Sequence, residues 1–161
     1  RAMPVTLICV GKLRERYFAD AAEEYLKRLK RLMPVNVLEL PDEREPSAPS
    51  DALNAAVMKR EGERIIQRIG AQDYVIAMCI DGVQLESEAL AQKISALFTR
   101  GKSGLTFVVG GSLGLHKSVL DRANECMSMS KMTFPHQLAR VMLLEQLFRA
   151  AKINAGERYH K

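Results

Sequence analysis

The feature that most constrains this chain is a fivefold alternation of short apolar runs with helix-like stretches. The apolar runs are Pro4–Val10 (PVTLICV), Val35–Leu40, Tyr74–Ile80 (YVIAMCI), Leu105–Val109 and Cys126–Ser130. Each is too short for a buried helix and rich in residues that favour strands. Tyr74–Ile80 is apolar at nearly every position, as a strand covered on both faces of a parallel sheet must be. Between the runs lie segments with helical spacing. Tyr17, Ala21, Tyr25, Leu29 and Leu32 form one stripe, and Ala89, Leu90, Ile94, Leu97 and Phe98 another. Ser50 or Asp51 caps a further helix that runs to about Ile69 and stops at Gly70. Strand–helix alternation of this kind predicts a three-layer α/β domain with a mostly parallel sheet.

The chain has 161 residues, enough for one domain with a full core. That domain is expected to span 3–161. Arg1-Ala2 ahead of Met3 reads as a cloning remnant, with Met3 as the native start. No apolar run approaches the ~20 residues of a membrane span, and no signal-peptide layout is present. Cys9, Cys79 and Cys126 are odd in number, far apart and each set among apolar residues, which predicts unpaired thiols in a reducing cytoplasm. The three histidines, His116, His136 and His160, do not cluster with them, so no zinc site is expected. The net charge of +5 and pI near 9.2 suit an anionic partner, nucleic acid above all.

Several segments are read as connections. Lys12–Arg16 is a basic loop. Pro41–Ser50 holds three prolines and several charges and is the best placed segment for a mobile lid or a partner contact. Asp81-Gly82 is a turn. Lys59, Arg60, Arg64 and Arg68 form a solvated helix face paired with Glu61 and Glu63 at i,i+4 spacing. Lys27, Arg28, Lys30 and Arg31 serve either the helix dipole or RNA.

The last third concentrates the candidate chemistry. Leu105–Val109 opens into Gly110-Gly111-Ser112-Leu113-Gly114, a place where backbone can approach a ligand. Gly101-Lys102-Ser103 is not a P-loop, since Ala96 stands where the first glycine belongs and the segment precedes its strand. The glycine loop lacks the G-x-G spacing of a dinucleotide fold. Met78, Met127, Met129, Met132 and Phe134 either fill the core or line an apolar slot for a flat ring. Pro135 suits the first turn of a long amphipathic helix with Leu138, Val141, Leu144, Phe148 and Ala151 inward and His136, Gln137, Arg140, Glu145, Gln146 and Arg149 on its polar side. Gly156 ends it, and a polar tail follows.

GGSLGLHKSVLDRA, SMSKMTFPHQLARVMLLEQLFRA and the terminal ERYHK, with VGKLRERY near the start, resemble the ribosomal RNA large-subunit methyltransferase H family over essentially the whole chain. The resemblance implies a SPOUT-class α/β domain with a C-terminal trefoil knot, working as a homodimer. It also implies S-adenosylmethionine as methyl donor and N3 of a pseudouridine in 23S rRNA as target; the chemistry requires no metal, and the small basic surface points to assembled ribosomes as substrate. Carried onto this chain, the cofactor residues are Met78, Gly110, Gly111, Gly114, Met129, Ser130, Lys131, Met132, Thr133 and Phe134. The catalytic set is His160 as proton acceptor, Tyr159 to orient it or stack on a base, and Arg140 to hold phosphate or stabilise the imide anion. His136 is expected to be held neutral by the helix dipole. The rival reading is a non-catalytic RNA- or ribosome-binding module that uses the basic faces at Lys12–Arg16 and Lys27–Arg31.

Overall fold

The structure is a computed structural model that describes residues 3–101 and 103–159. Five strands, β1 (Val5–Val10), β2 (Val35–Leu40), β3 (Tyr74–Gln84), β4 (Leu105–Val109) and β5 (Glu125–Ser128), alternate with five helices, α1 (Arg16–Leu32), α2 (Asp51–Gln67), α3 (Ser87–Arg100), α4 (Lys117–Arg122) and α5 (His136–Asn154). The strands form one sheet in the order β2-β1-β4-β3-β5, and every neighbouring pair is parallel. The central strand β4 is buried along its whole length.

Two cores cover the two faces of the sheet. One joins Leu7, Phe107 and Ile76 to Leu29 of α1, Ile94 of α3 and Leu143, Leu144 and Leu147 of α5. The other joins Ile8, Val75 and Val108 to Ile65 of α2 and Val119 of α4. Successive residues of a strand face opposite sides, so Leu7 and Ile8 enter different cores. The result is the expected three-layer α/β domain.

Local rules account for the ends of several helices. Ser50 Oγ accepts from the Leu53 amide at 3.2 Å and caps α2. The His116 ring accepts from the Ser118 amide at 3.1 Å and caps α4. Gly156, at φ +71°, follows α5 in the left-handed conformation that glycine adopts readily.

Four expectations are corrected. Asp81-Gly82 is not a turn: β3 runs on to Gln84, with an irregularity after Met78 that lets Met127 face both Met78 and Val83. A Cβ on Gly82 would fall 2.6 Å from the Met127 carbonyl carbon, so this glycine permits a close approach of strands. Helix α5 is not one-sided, because Leu143, Leu147 and Ala150 are buried as fully as Leu144, and Arg140 is buried with them. It lies between α1 and α3 on the sheet and has no free polar face over its middle. Arg60 and Arg64 of α2 do not pair along their own helix; both bind Glu43 of the proline-rich loop. That loop is accordingly fastened at its start: the Glu43 amide donates to Glu61 at 2.9 Å, and Arg64 donates to the Pro41 carbonyl at 3.2 Å.

Candidate active site

The carboxyl ends of β4, β3 and β5, adjacent in the sheet, open on one cleft of about 650 Å³. In α/β proteins ligands bind at this end of the strands. One wall is Met78, Cys79 and Ile80 from β3. A second is the glycine loop, residues 109–115. The third is Ser128, Met129, Ser130, Met132, Thr133 and Phe134, leading into Pro135, His136 and Ala139 of α5. Most of this surface is apolar, with hydroxyls from Ser112, Ser128, Ser130 and Thr133 among it.

The expected cofactor residues Met78, Gly110, Gly111, Gly114, Met129, Ser130, Met132, Thr133 and Phe134 all line this cleft. Lys131 does not; its side chain is exposed, while its neighbours Ser130 and Met132 are on the wall. The Ser128 hydroxyl donates to the Ser130 carbonyl at 2.8 Å, and the Ser130 hydroxyl accepts from the Met132 amide at 3.0 Å. These bonds set the conformation of the third wall. The glycine loop is closed by a bridge between Gly111 and Gly114. Gly114 takes φ +87°, which disfavours any side chain. Gly110 does not have positive φ. It is glycine because a Cβ there would meet the Gly114 backbone and the Leu115 side chain at 2.9 Å. Ser112 donates to Glu45, so the proline-rich loop is tied to this wall as well.

Of the expected catalytic residues, Arg140 and Tyr159 are described, and they have separate surroundings. Arg140 is only 2% exposed. It donates to Glu39 Oε2 at 2.5 Å and to the Gly11 carbonyl at 2.7 Å. It therefore joins α5 to the ends of β1 and β2, and its charge is already matched by Glu39. Arg140 is not among the residues that line the cleft.

Tyr159 is packed on α5, away from the cleft of its own chain. Its ring stands edge-on to Phe148 at 4.9 Å, and the Arg149 guanidinium lies 4.7 Å from the ring centroid. Its hydroxyl donates to Glu145 Oε2 at 2.9 Å. Burial, with the Glu145 carboxylate beside it, pushes the phenol up to about 12, so it stays protonated at neutral pH. Glu157 anchors this stretch through Arg31 at 2.8 Å and Lys152 at 2.8 Å, which bring its carboxyl down to about 2. The tail is thus ordered through Tyr159. His160 lies outside the described residues.

Glu145 also lines a smaller pocket of about 350 Å³ with Ser87, Met142 and Gln146; this pocket shares Ser128 and Met129 with the cleft. Sequence reasoning placed Glu145 and Arg149 on a polar helix face but gave them no role. Their four-residue spacing was the available signal.

His136 begins α5 and lines the cleft. Burial first, and the nearby positive charge of Arg140 second, hold its pKa below the usual histidine range. It is neutral at pH 7, as expected, with burial as the principal cause. The basic loop reaches the same rim: the Arg14 amide donates to the Gln137 side chain at 3.1 Å. Arg14 and Arg16 project into solvent, 74% and 92% exposed, with loose contacts to Asp42 and Asp20 at 3.6 and 3.7 Å. The cations of α1 differ, since Arg28 and Arg31 are held by Glu24 and Glu157. Among the described residues no group of three or more His, Cys, Asp or Glu side chains is arranged to hold a metal, and no helix is long and apolar enough to cross a membrane.

The chain matches the family described as "Predicted SPOUT methyltransferase" over residues 3–160. It is 54% identical to "Ribosomal RNA large subunit methyltransferase H" of Bifidobacterium animalis subsp. lactis, over 99% of this chain and 100% of the relative. It is 51% identical to the protein of the same name from Clostridium novyi, again over 99% and 100%. Among solved structures, "a probable methylase family protein from Haemophilus influenzae Rd KW20" superposes with a TM-score of 0.54 at 14% identity, over 99% of this chain and 71% of that one, a likeness of fold. The chain therefore belongs to the SPOUT methyltransferase family, in its ribosomal RNA large subunit methyltransferase H branch.

Proposed function

We propose that this chain transfers a methyl group from S-adenosylmethionine to N3 of a pseudouridine in 23S rRNA, as a cytoplasmic homodimer acting on assembled ribosomes. The observation that carries the reading is the cleft itself. Met78, the glycine loop and the segment from Met129 to Phe134 are far apart in sequence and converge on one apolar slot at the carboxyl ends of three strands. The RNA target follows the names of the full-length relatives. The reading carries with it the knotted C-terminal path of the family.

The residues present fit the donor. Met78, Ile80, Leu113, Leu115, Met129, Met132 and Phe134 offer apolar surface to an adenine ring. Backbone groups of the glycine loop and hydroxyls of Ser112 and Thr133 offer hydrogen bonds to its polar edges. When bound, S-adenosylmethionine supplies an electrophilic methyl group. The apolar walls of the slot would cover part of it, and neutral His136 adds no positive charge against a cationic ligand.

The base must present N3 to that methyl and lose its proton. Tyr159, held protonated against Glu145, is a stacking surface and hydrogen-bond donor, not a base. His160 follows it directly and is the proposed proton acceptor, because imidazole is the side chain best suited to exchange a proton near neutral pH. Because Tyr159 sits on α5 and outside its own cleft, the tail is assigned to the cleft of the partner subunit. The basic loop at Lys12–Arg16 beside the rim guides the RNA backbone.

Titration calorimetry with S-adenosylmethionine, followed by methyl transfer to ribosomes lacking the modification, tests the reading. Saturable donor binding and methylation at N3 are expected. Ribosome binding without donor binding would favour a non-catalytic module.

A further inference from the structure

Cys9 is enclosed and has no exposure, but Cys79 and Cys126 are both half-buried. They lie on adjacent strands. Ala77 faces Cys126 in the β3–β5 ladder, and Cys79, two residues further along, points to the same side of the sheet. The ladder then breaks after Met78 and resumes at Val83. At this break the Cys126 side chain is near enough to Cys79 to act on its ionisation. Cys79 is also part of the cleft wall, whereas Cys126 stands behind it. Two thiols on neighbouring strands, one facing an open cleft and both at an irregular point of the sheet, have no part in the methyl transfer proposed above.

We propose that Cys79 and Cys126 are an oxidative modification site, which hydrogen peroxide closes to an intrachain disulfide, and that closure deforms the cleft wall at Met78–Ile80. The Cys79 thiolate attacks one peroxide oxygen; the O–O bond breaks, hydroxide leaves and is protonated to water, and Cys79 becomes a sulfenic acid. The Cys126 sulfur then attacks the Cys79 sulfur. The S–S bond forms, the S–OH bond breaks, and the hydroxide leaves as water with the Cys126 proton. In sum, two thiols lose two hydrogens and one peroxide becomes two waters. The break in the ladder supplies the backbone freedom that disulfide geometry requires.

Burial, and then the Cys126 thiol beside it, push Cys79 up to about 11. Its thiolate is scarce at neutral pH, so the site responds to sustained oxidant and not to brief exposure. The rate of closure rises roughly tenfold per pH unit between 7 and 9 as the thiolate fraction rises.

The effect on the cleft rests on its reading as the donor's seat; the disulfide itself does not. The reduced full-length protein is treated with hydrogen peroxide and followed by intact mass and by peptide mapping. A loss of two hydrogens and a linked Cys79–Cys126 peptide are expected, with S-adenosylmethionine affinity falling about tenfold and returning on treatment with dithiothreitol. Cys126→Ala binds the donor normally when reduced, and under peroxide stops at a sulfenic acid that dimedone traps. If both thiols stay open to iodoacetamide after peroxide, or each is oxidised separately to sulfinate, the modification site is overturned. If the disulfide forms and donor affinity is unchanged, the link to the cleft is overturned. If the reduced protein does not bind the donor at all, the functional reading fails, while the mass measurement still decides the disulfide.

Discussion

Arg140 and Glu39 pair at 2.5 Å across the join between the start of α5 and the end of β2, with the arginine buried and the glutamate partly open to solvent. The other terminal nitrogen of Arg140 donates to the Gly11 carbonyl, and its Nε has no partner among the described residues. A buried guanidinium in this position holds α5, and with it His136 and Ala139, against the sheet.

Arg140→Ala is therefore expected to destabilise the fold by about 3 kcal/mol, since it removes a buried charge and its fork at once. Glu39→Ala is expected to cost at least as much, about 3–5 kcal/mol, because it leaves the buried Arg140 charge without its carboxylate, whereas water reaches the glutamate that Arg140→Ala leaves behind. Urea unfolding of the two variants checks the order. Equal and negligible losses would show that the pair does not hold the join.

The glycine loop separates two kinds of glycine. Gly114→Ala places a side chain at φ +87°, at a cost of about 1–2 kcal/mol in loop conformation, although no atom stands in its way. Gly110→Ala keeps an ordinary φ but collides with the Gly114 backbone and Leu115. Both should weaken S-adenosylmethionine binding about tenfold or more, with the melting temperature lowered by only a few degrees. Calorimetry and thermal melts on the same samples make the comparison, and wild-type affinity in both would remove the loop from the donor site.

His136 gives the pH dependence its sign. Its folded pKa lies below the ordinary 6.5. Above pH 6.5 the ring is neutral folded or unfolded, and stability is unaffected. As pH falls below 6.5 the unfolded chain binds a proton that the folded chain resists, so stability declines. His136→Gln should flatten this part of the stability curve below pH 6.5. An unchanged slope in the variant would assign the decline to other groups.

Much of this was legible in the sequence, because strand and helix periods are local signals. Leu7 and Ile8 alternate into two cores, and Ser50 caps a helix where a serine should. The converging wall at Met129–Phe134 came from the family resemblance. What local reading missed depends on contacts between distant residues. Asp81-Gly82 looks like a turn because glycine usually marks one, yet Gly82 lies flat against the Met127 backbone. Arg140 reads as a surface cation until Glu39, 101 residues earlier, is found beside it. Glu43 draws Arg60 and Arg64 away from their own helix for the same reason. The polar tail carries no local signal of what holds it, but Glu157 meets Arg31, 126 residues away.

Ribosome binding should weaken steeply with salt, since each cation that meets phosphate releases counterions. Charge reversal at Lys12, Arg14 and Arg16 is expected to weaken ribosome binding and leave donor affinity near wild type, because these side chains are outside the cleft wall. Reversal at Arg31 should act differently, by freeing Glu157 and loosening the tail. Filter binding over a range of salt concentrations distinguishes the two. A salt-insensitive affinity would point to a largely non-electrostatic surface.

The tail provides the decisive test of the mechanism. Tyr159 is held on α5 by Phe148, Arg149 and Glu145, and Glu157 fixes the preceding turn to α1. Tyr159 is not part of the cleft wall of its own chain, so on deletion of Tyr159–Lys161 donor affinity and dimerisation should stay close to wild type while methylation is lost. His160→Ala should lose rate most at neutral pH and regain part of it in alkali, where the imide of the base ionises unaided. If the tail serves the partner's cleft, two inactive proteins should rescue each other. A subunit lacking the tail but with an intact cleft, mixed with a Gly114→Val subunit that keeps its tail, forms one complete site per heterodimer. Recovery of about half the wild-type rate per heterodimer is expected, one competent site of two. No recovery in verified heterodimers would place the tail over its own cleft and require Tyr159 to leave Glu145 during the reaction.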